Sequence, residues 1–176
     1  MSAGVRSVEH GNLASADTLK RMEDADVFLV PTQYVILSAA KSDKNDPDWA
    51  MMSDYMRRKL EKYRDELIAA AERVAKSNVR IAFGTDAGMF PHENNVREFP
   101  TMVSTGITEL RALRAATSVA AELLRLDDRG EIKQGKIADL IAMPGNPLVD
   151  INVTGKVDFV MKSGVICKDP TQAGKA

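Results

Sequence analysis

The sequence predicts an α/β fold with parallel strands, on three observations. Two short, mainly apolar runs, residues 27–30 and 79–83, have the β-branched and aromatic character of buried strands, with Arg80 the one charged residue among them. A strand-like stretch at 5–9 is separated from the run at 27–30 by a helical pattern, which is the order of a βαβ unit. Two longer segments, 49–77 and 108–124, carry apolar residues at three- and four-residue spacing and supply helices to cover such strands.

Taken in order, residues 5–9 form the first predicted strand. Ser15 then offers a side-chain cap to a helix over 16–25, in which Leu19 and Met22 share one face. The strand at 27–30 stops at Pro31, which has no N–H to give a ladder. The polar, turn-rich stretch 42–48 reads as surface loop. One long helix or two follow over 49–77, with Met56, Leu60, Tyr63, Leu67 and Ala71 inward and the charges on the solvated face. Residues 79–84 form the next buried strand, and 89–100 show no regular period and read as a loop. Thr108 caps a helix running to about Leu124, with Leu110, Leu113, Ala116, Ala120 and Leu124 on its inner face. A separate β region follows at 138–143, 157–161 and 165–167, and Lys162-Ser163-Gly164 suits the hairpin turn between its last two strands. The tail, 170–176, is expected to be disordered.

The 176 residues are enough for one domain with a real core, or for a partial barrel with a small β extension. Lys and Arg number 24 against 25 Asp and Glu, a formal net charge of −1. That balance gives no electrostatic footprint for nucleic acid or for an anionic membrane. The single cysteine, Cys167, excludes an intrachain disulfide framework and fits a reducing compartment. With no histidine near it in sequence, Cys167 is not read as a nucleophile. The first six residues lack the apolar core of a secretory signal, and no run reaches the length of a membrane span.

Candidate chemistry lies where strands end. Gly84-Thr85-Asp86-Ala87-Gly88 follows an apolar run and delivers one carboxylate at the C-terminal edge of a buried strand. Such an aspartate either caps the following turn or meets a cation or metal, since buried carboxylates are rare without one. Glu9-His10-Gly11 has the same design, although a lone histidine is more often a hydrogen-bonded structural residue than a ligand. On a strand Glu9 faces away from His10 and reads as a structural neighbour. Further along stand Leu29-Val30-Pro31-Thr32, Pro91-His92, Ala115-Ala116-Thr117, Gly135-Lys136-Ile137-Ala138-Asp139-Leu140-Ile141, Gly145-Asn146-Pro147-Leu148 and Val160-Met161-Lys162-Ser163-Gly164.

In this order, over roughly residues 5–168, these segments resemble the C-terminal part of the amidohydrolase superfamily. The likeness is greatest to its imidazolonepropionase-like branch, which includes metal-dependent Xaa-Pro and related dipeptidases. The family's His-x-His pair, its fourth-strand lysine or carboxylate and its fifth-strand histidine have no counterpart here, where the histidines are His10 and His92. A full (β/α)₈ barrel takes about 250 residues. The resemblance therefore implies an α/β chain that is the C-terminal portion of a TIM (β/α)₈ barrel, strands six to eight with their helices, plus part of a flanking β-sandwich. Residues 1–127 are expected to be the partial barrel, 128–169 the partial sandwich and 170–176 the tail.

The resemblance also implies roles. His10 matches the sixth-strand histidine and becomes a metal ligand. Asp86 matches the eighth-strand aspartate, which binds a metal, takes a proton from the attacking hydroxide and passes it to the leaving amine. Asp86 is thus both the catalytic and a metal-binding residue. His92 and Tyr34 become substrate-binding candidates, while Asn94 and Arg97 are by default solvated. In the family the loop reads Pro-His-Gly, whereas Glu93 follows His92 here, and glycine tolerates a positive φ that glutamate does not. The implied cofactor is a divalent metal, zinc by its ligands, at a site incomplete in this chain. The implied reaction is hydrolysis of a C–N amide or peptide bond in a small-molecule or dipeptide substrate, with this chain alone inactive. The alternative is a non-catalytic fragment whose open edges need a homo-oligomer or a complementary N-terminal chain. Localisation is cytoplasmic by default, with any export signal lost with a missing N-terminus.

Overall fold

Three short parallel strands lie side by side in the order β1 (Ser7–Glu9), β2 (Phe28–Val30) and β3 (Arg80–Ile81). This computed structural model describes residues 3–41, 52–88 and 90–172. The register sets Ser7 against Phe28, Glu9 against Val30, and Phe28 against Arg80. Helix α1 (Ala16–Asp24) makes the first crossover. Its N-cap Ser15 accepts the N–H of Thr18, and Leu19 and Met22 are buried as their spacing predicts. The strands are shorter than the apolar runs, yet the pairing continues: His10 N–H donates to Val30 O at 2.8 Å and Ala82 N–H to Leu29 O at 2.9 Å. At Phe83 the chain leaves the sheet, because its N–H turns to Ala115 O at 2.9 Å.

Helix α2 (Gln33–Lys41) follows β2 directly and packs on α3 (Asp54–Lys76) through Ala40, Leu60 and Leu67, with Ile36 and Tyr63 at the rim. Ser53 caps α3, so this helix starts at Asp54; the predicted loop at 42–48 and the helical turn from Trp49 lie outside the described residues. Met56 is exposed, and the inner face comprises Leu60, Leu67, Ala70, Ala71 and Val74. The half-buried Arg111 side chain closes the far end of α3 by donating to Ala75 O at 3.0 Å and Val79 O at 2.7 Å. Burial lowers its pKa, with the nearby Glu23 acting against the shift.

Two expectations about the middle of the chain are corrected. The presumed loop is helical: a 3₁₀ helix, His92–Arg97, runs straight into α4, Glu98–Ser104. Pro100 is the third residue of α4, within the first turn where a missing N–H costs little. The predicted helix from Thr108 does begin with Thr108 accepting the N–H of Arg111, but it breaks at Thr117 into α5 (Glu109–Ala116) and α6 (Ser118–Leu123). Its inner face is Ala112, Ala115 and Ala121, while Leu110 and Leu124 are 46% and 65% exposed. The alanines win because backbone contact as close as Phe83 to Ala115 leaves no room for leucine.

The central strands are covered on both sides. Leu29 and Ile81 pack with Leu19, Met22, Val74, Met102 and Ala115. On the opposite side Phe28, Val30 and Ala82 meet Val119 and Leu123. The guanidinium groups of Arg6 and Arg80 sit 5.4 and 4.1 Å from the Phe28 ring centroid. Arg80 also pairs with Asp26 and Glu122. The side of the central strands turned away from α1 and α3 is therefore shielded by α6 and two stacked cations.

A second, antiparallel sheet comprises β4 (Leu140–Ala142), β5 (Phe159–Lys162) and β6 (Val165–Lys168). The predicted hairpin turn is present, with Ser163 and Gly164 both at positive φ, 50° and 79°, as a type I′ turn demands. Asp139 secures it: its carboxylate accepts Ser163 N–H at 2.8 Å and Arg129 Nη1 at 3.4 Å. Ile141, Val165 and Ile166 are at least half exposed, so this sheet carries unburied apolar surface. Pro170–Gln172 forms a short 3₁₀ turn, and the rest of the tail expected at 170–176 lies outside the described residues. Among the described residues no helix is long and apolar enough to cross a membrane.

Candidate functional site

His10, Thr32 and Asp86 follow the C-terminal ends of β1, β2 and β3, and all three hold left-handed backbone, with φ of 64°, 46° and 56°. For a β-branched residue such as Thr32 this is a genuine departure from the preferred regions. Backbone of this kind costs on the order of 1–3 kcal/mol per residue and is kept where the surroundings enforce it. Gly11 shares the bend after β1 at φ +63°, and a Cβ there would lie 2.8 Å from Leu29 Cδ1.

The ring of His10 is exposed, and its Nδ1 lies 2.8 Å from the hydroxyl of buried Thr32. That bond orients the imidazole and engages only one of its two ring nitrogens. A shallow cleft between the strand ends and the α2–α3 pair is lined by His10, Asn12, Pro31, Gln33, Leu67 and Val74. Asp86, by contrast, is exposed on the loop after β3. Its neighbour Thr85 donates to Asn95 Oδ1 at 2.7 Å, which ties that loop to the 3₁₀ helix carrying His92.

Among the described residues the buried carboxylate is Glu98, not Asp86. Glu98 has no exposed surface, and its two oxygens accept the N–H groups of Gln33 at 2.7 Å and Tyr34 at 2.6 Å. A carboxylate there meets the positive end of α2. Burial nevertheless pushes its pKa up to about 7, against the pull of those two N–H groups. Thr105 donates to Gln33 Oε1 at 3.1 Å and so adds a second tie between α4 and the start of α2.

Tyr34 and Arg97 are brought together: Arg97 Nη1 donates to Tyr34 Oη at 3.1 Å, and Phe90 meets the Tyr34 ring edge-on at 4.9 Å. Arg97 is thus partnered rather than merely solvated. His92 is exposed and opens the 3₁₀ helix. Glu93 sits inside that helix without a positive φ, so the glutamate in place of glycine is accommodated. Sequence reasoning missed Thr32 as the partner of His10, Asn95 as the partner of Thr85, and Glu98. A signal for Glu98 existed, since Glu98, Met102 and Thr105 recur at helical spacing and all three are buried. Among the described residues no group of three or more His, Cys, Asp or Glu side chains is placed to hold a metal ion.

Comparison with known proteins places these features in a lineage. The model of the Amidohydrolase family matches residues 1–167. An ochratoxinase of Aspergillus niger is 30% identical over 179 aligned positions, covering 97% of this chain and 35% of that protein. An imidazolonepropionase of Pyrobaculum arsenaticum is 41% identical over 75 positions, 40% of this chain and 18% of that protein. The crystal structure of a Xaa-Pro dipeptidase with methionine bound in its active site superposes with a TM-score of 0.80 at 35% identity, over 95% of this chain and 41% of the other. The structural neighbours are TIM-barrel amidohydrolases of which this chain covers only a part. It spans well under half the length of these relatives, and over that span it belongs to the amidohydrolase family.

Proposed function

We propose that this chain supplies the sixth to eighth strands of a metal-dependent hydrolase barrel that cleaves amide or peptide bonds, with a dipeptide-like substrate. On this reading β1, β2 and β3 are those three strands, residues 1–127 belong to the barrel and 128–169 to a flanking sandwich. The observation that carries it is the row of left-handed residues, His10, Thr32 and Asp86, at one edge of a parallel sheet. That edge is where barrels of this class build their sites. The ochratoxinase and dipeptidase relatives favour C–N bond hydrolysis.

The donors suit a divalent ion such as zinc: an imidazole nitrogen and a carboxylate, with the other ring nitrogen of His10 already engaged by Thr32. A catalytic zinc takes three protein ligands, so His10 and Asp86 are part of a set that other strands must complete. When bound, such an ion lowers the pKa of water and supplies the nucleophile. The residues of this chain do the rest. His10 holds its Nε2 toward the site. Asp86 takes the nucleophile's proton on a carboxylate oxygen and returns it to the leaving amine. Tyr34 and His92 contact the substrate, and Arg97 orients the Tyr34 hydroxyl.

The test is zinc-dependent hydrolysis of an Xaa-Pro dipeptide. The purified chain alone should give no appreciable turnover. In a protein where the chain is joined to a complementary N-terminal part of the barrel, turnover should appear and Asp86→Asn should remove it. Turnover that persists in Asp86→Asn contradicts the role given to Asp86. A second reading, a non-catalytic fragment that needs another chain, is favoured by the exposed apolar sheet, and absence of turnover in the completed protein would support it.

A further inference from the structure

We propose that Glu98 is a positioning residue for His10 and Tyr34, acting from α4 through the turn Thr32–Gln33–Tyr34. Glu98 touches neither side chain. It grips the backbone instead, taking the N–H groups of Gln33 and Tyr34 on its two oxygens. The residue just before these, Thr32, is held at φ 46°, a conformation a threonine does not keep without outside restraint. Thr32 in turn places its hydroxyl 2.8 Å from His10 Nδ1. The residue at the other end of the grip, Tyr34, presents its hydroxyl to Arg97, which precedes Glu98 in the chain. One buried carboxylate thus fixes both a strand-end imidazole and a phenol on the neighbouring strand end. Two additional contacts support the arrangement: Thr105 on Gln33 Oε1, and the packing of Met102 in the core beside Leu29. A carboxylate with no exposed surface, spent on two backbone N–H groups, is explained if the strained turn it stabilises has a task.

The value of placing His10 rests on the metal-ligand reading above, but the relay itself is tested without metal. The chain holds two histidines, and exposed His92 serves as an internal reference. Nitrogen-detected NMR of the ¹⁵N-histidine-labelled full chain should show His10 in one hydrogen-bonded tautomer, distinct from His92. Thr32→Val and Glu98→Ala should each move the His10 ring nitrogens toward the averaged values of His92, while Thr32→Ser keeps the native pattern. Glu98→Gln, which retains shape and one acceptor oxygen, should give an intermediate shift, and it carries the test if Glu98→Ala does not fold. In the Thr32→Val background, Glu98→Gln should add nothing further. Native His10 signals in both folded Glu98 variants would overturn the proposal, as would a further shift from Glu98→Gln added to Thr32→Val. Zinc added to the wild-type chain separates the two ideas: an unresponsive His10 with an intact relay contradicts the ligand reading and leaves Glu98 in its place.

Discussion

Gly84 approaches Val30 so closely that a Cβ on the glycine would lie 2.3 Å from the valine Cγ1. The contact seats the segment before Asp86 against the end of β2, beside Pro31 and Thr32. Val30 is buried and β-branched, so it has little freedom to yield. Gly84→Ala should destabilise the fold by about 1–3 kcal/mol, as overpacking does. Chemical denaturation measures this directly, and a midpoint equal to wild type would mean that the two strand ends are not packed as described.

A second expectation follows from the raised pKa of Glu98. A carboxyl shifted from its usual 4.5 to about 7 binds a proton in the folded chain over a range where the unfolded chain has lost it. Stability from this group is therefore complete below pH 4.5 and declines as pH rises to about 7, by on the order of 3 kcal/mol. Glu98→Gln cannot titrate and should flatten that slope. Urea unfolding at pH 5 and pH 7.5 on both proteins checks it, and equal slopes would remove Glu98 as the titrating group.

Assembly is the third. The parallel sheet is covered on both sides, but on the antiparallel sheet Ile141 and Val165 share one face at 60% and 66% exposure, and Ile166, the next residue of β6, is 50% exposed on the other. Exposed apolar surface on a monomer marks association sites. Size exclusion with light scattering should find a species larger than the 19.2 kDa chain, and Ile141→Lys with Val165→Lys should reduce it toward that mass. A sharp wild-type peak at the monomer mass, with cooperative unfolding, would show that the sheet needs no cover.

Much of this arrangement was legible in the sequence. Ser15 and Thr108 read as helix caps and act as such, because a side-chain oxygen before an amphipathic run has one evident use. Ser163-Gly164 announced its turn by the positive φ it would need. His10 and Asp86 stood out as polar residues at the ends of apolar runs beside glycine. Other features were hidden for physical reasons. The helix at 98–104 was hidden because 89–100 show no regular apolar period, and one of its two buried positions is the charged Glu98. The break at Thr117 reset the helical phase and moved Leu124 off the expected face, while before the break the close backbone contact at Ala115 favoured alanines over leucines. Glu98 is the plainest case: its partners lie 64 and 65 residues earlier, on the main chain, where no side-chain pattern records them.

The most direct test of the central claim, that His10 and Asp86 are metal ligands at one edge of the sheet, is calorimetric titration of the purified chain with zinc. With two of the required ligands, binding should be at best micromolar, on the order of −8 kcal/mol. It should be weakened by His10→Ala or Asp86→Ala and lost in the double variant. Binding by the His10→Ala, Asp86→Ala double variant equal to that of wild type would contradict the account.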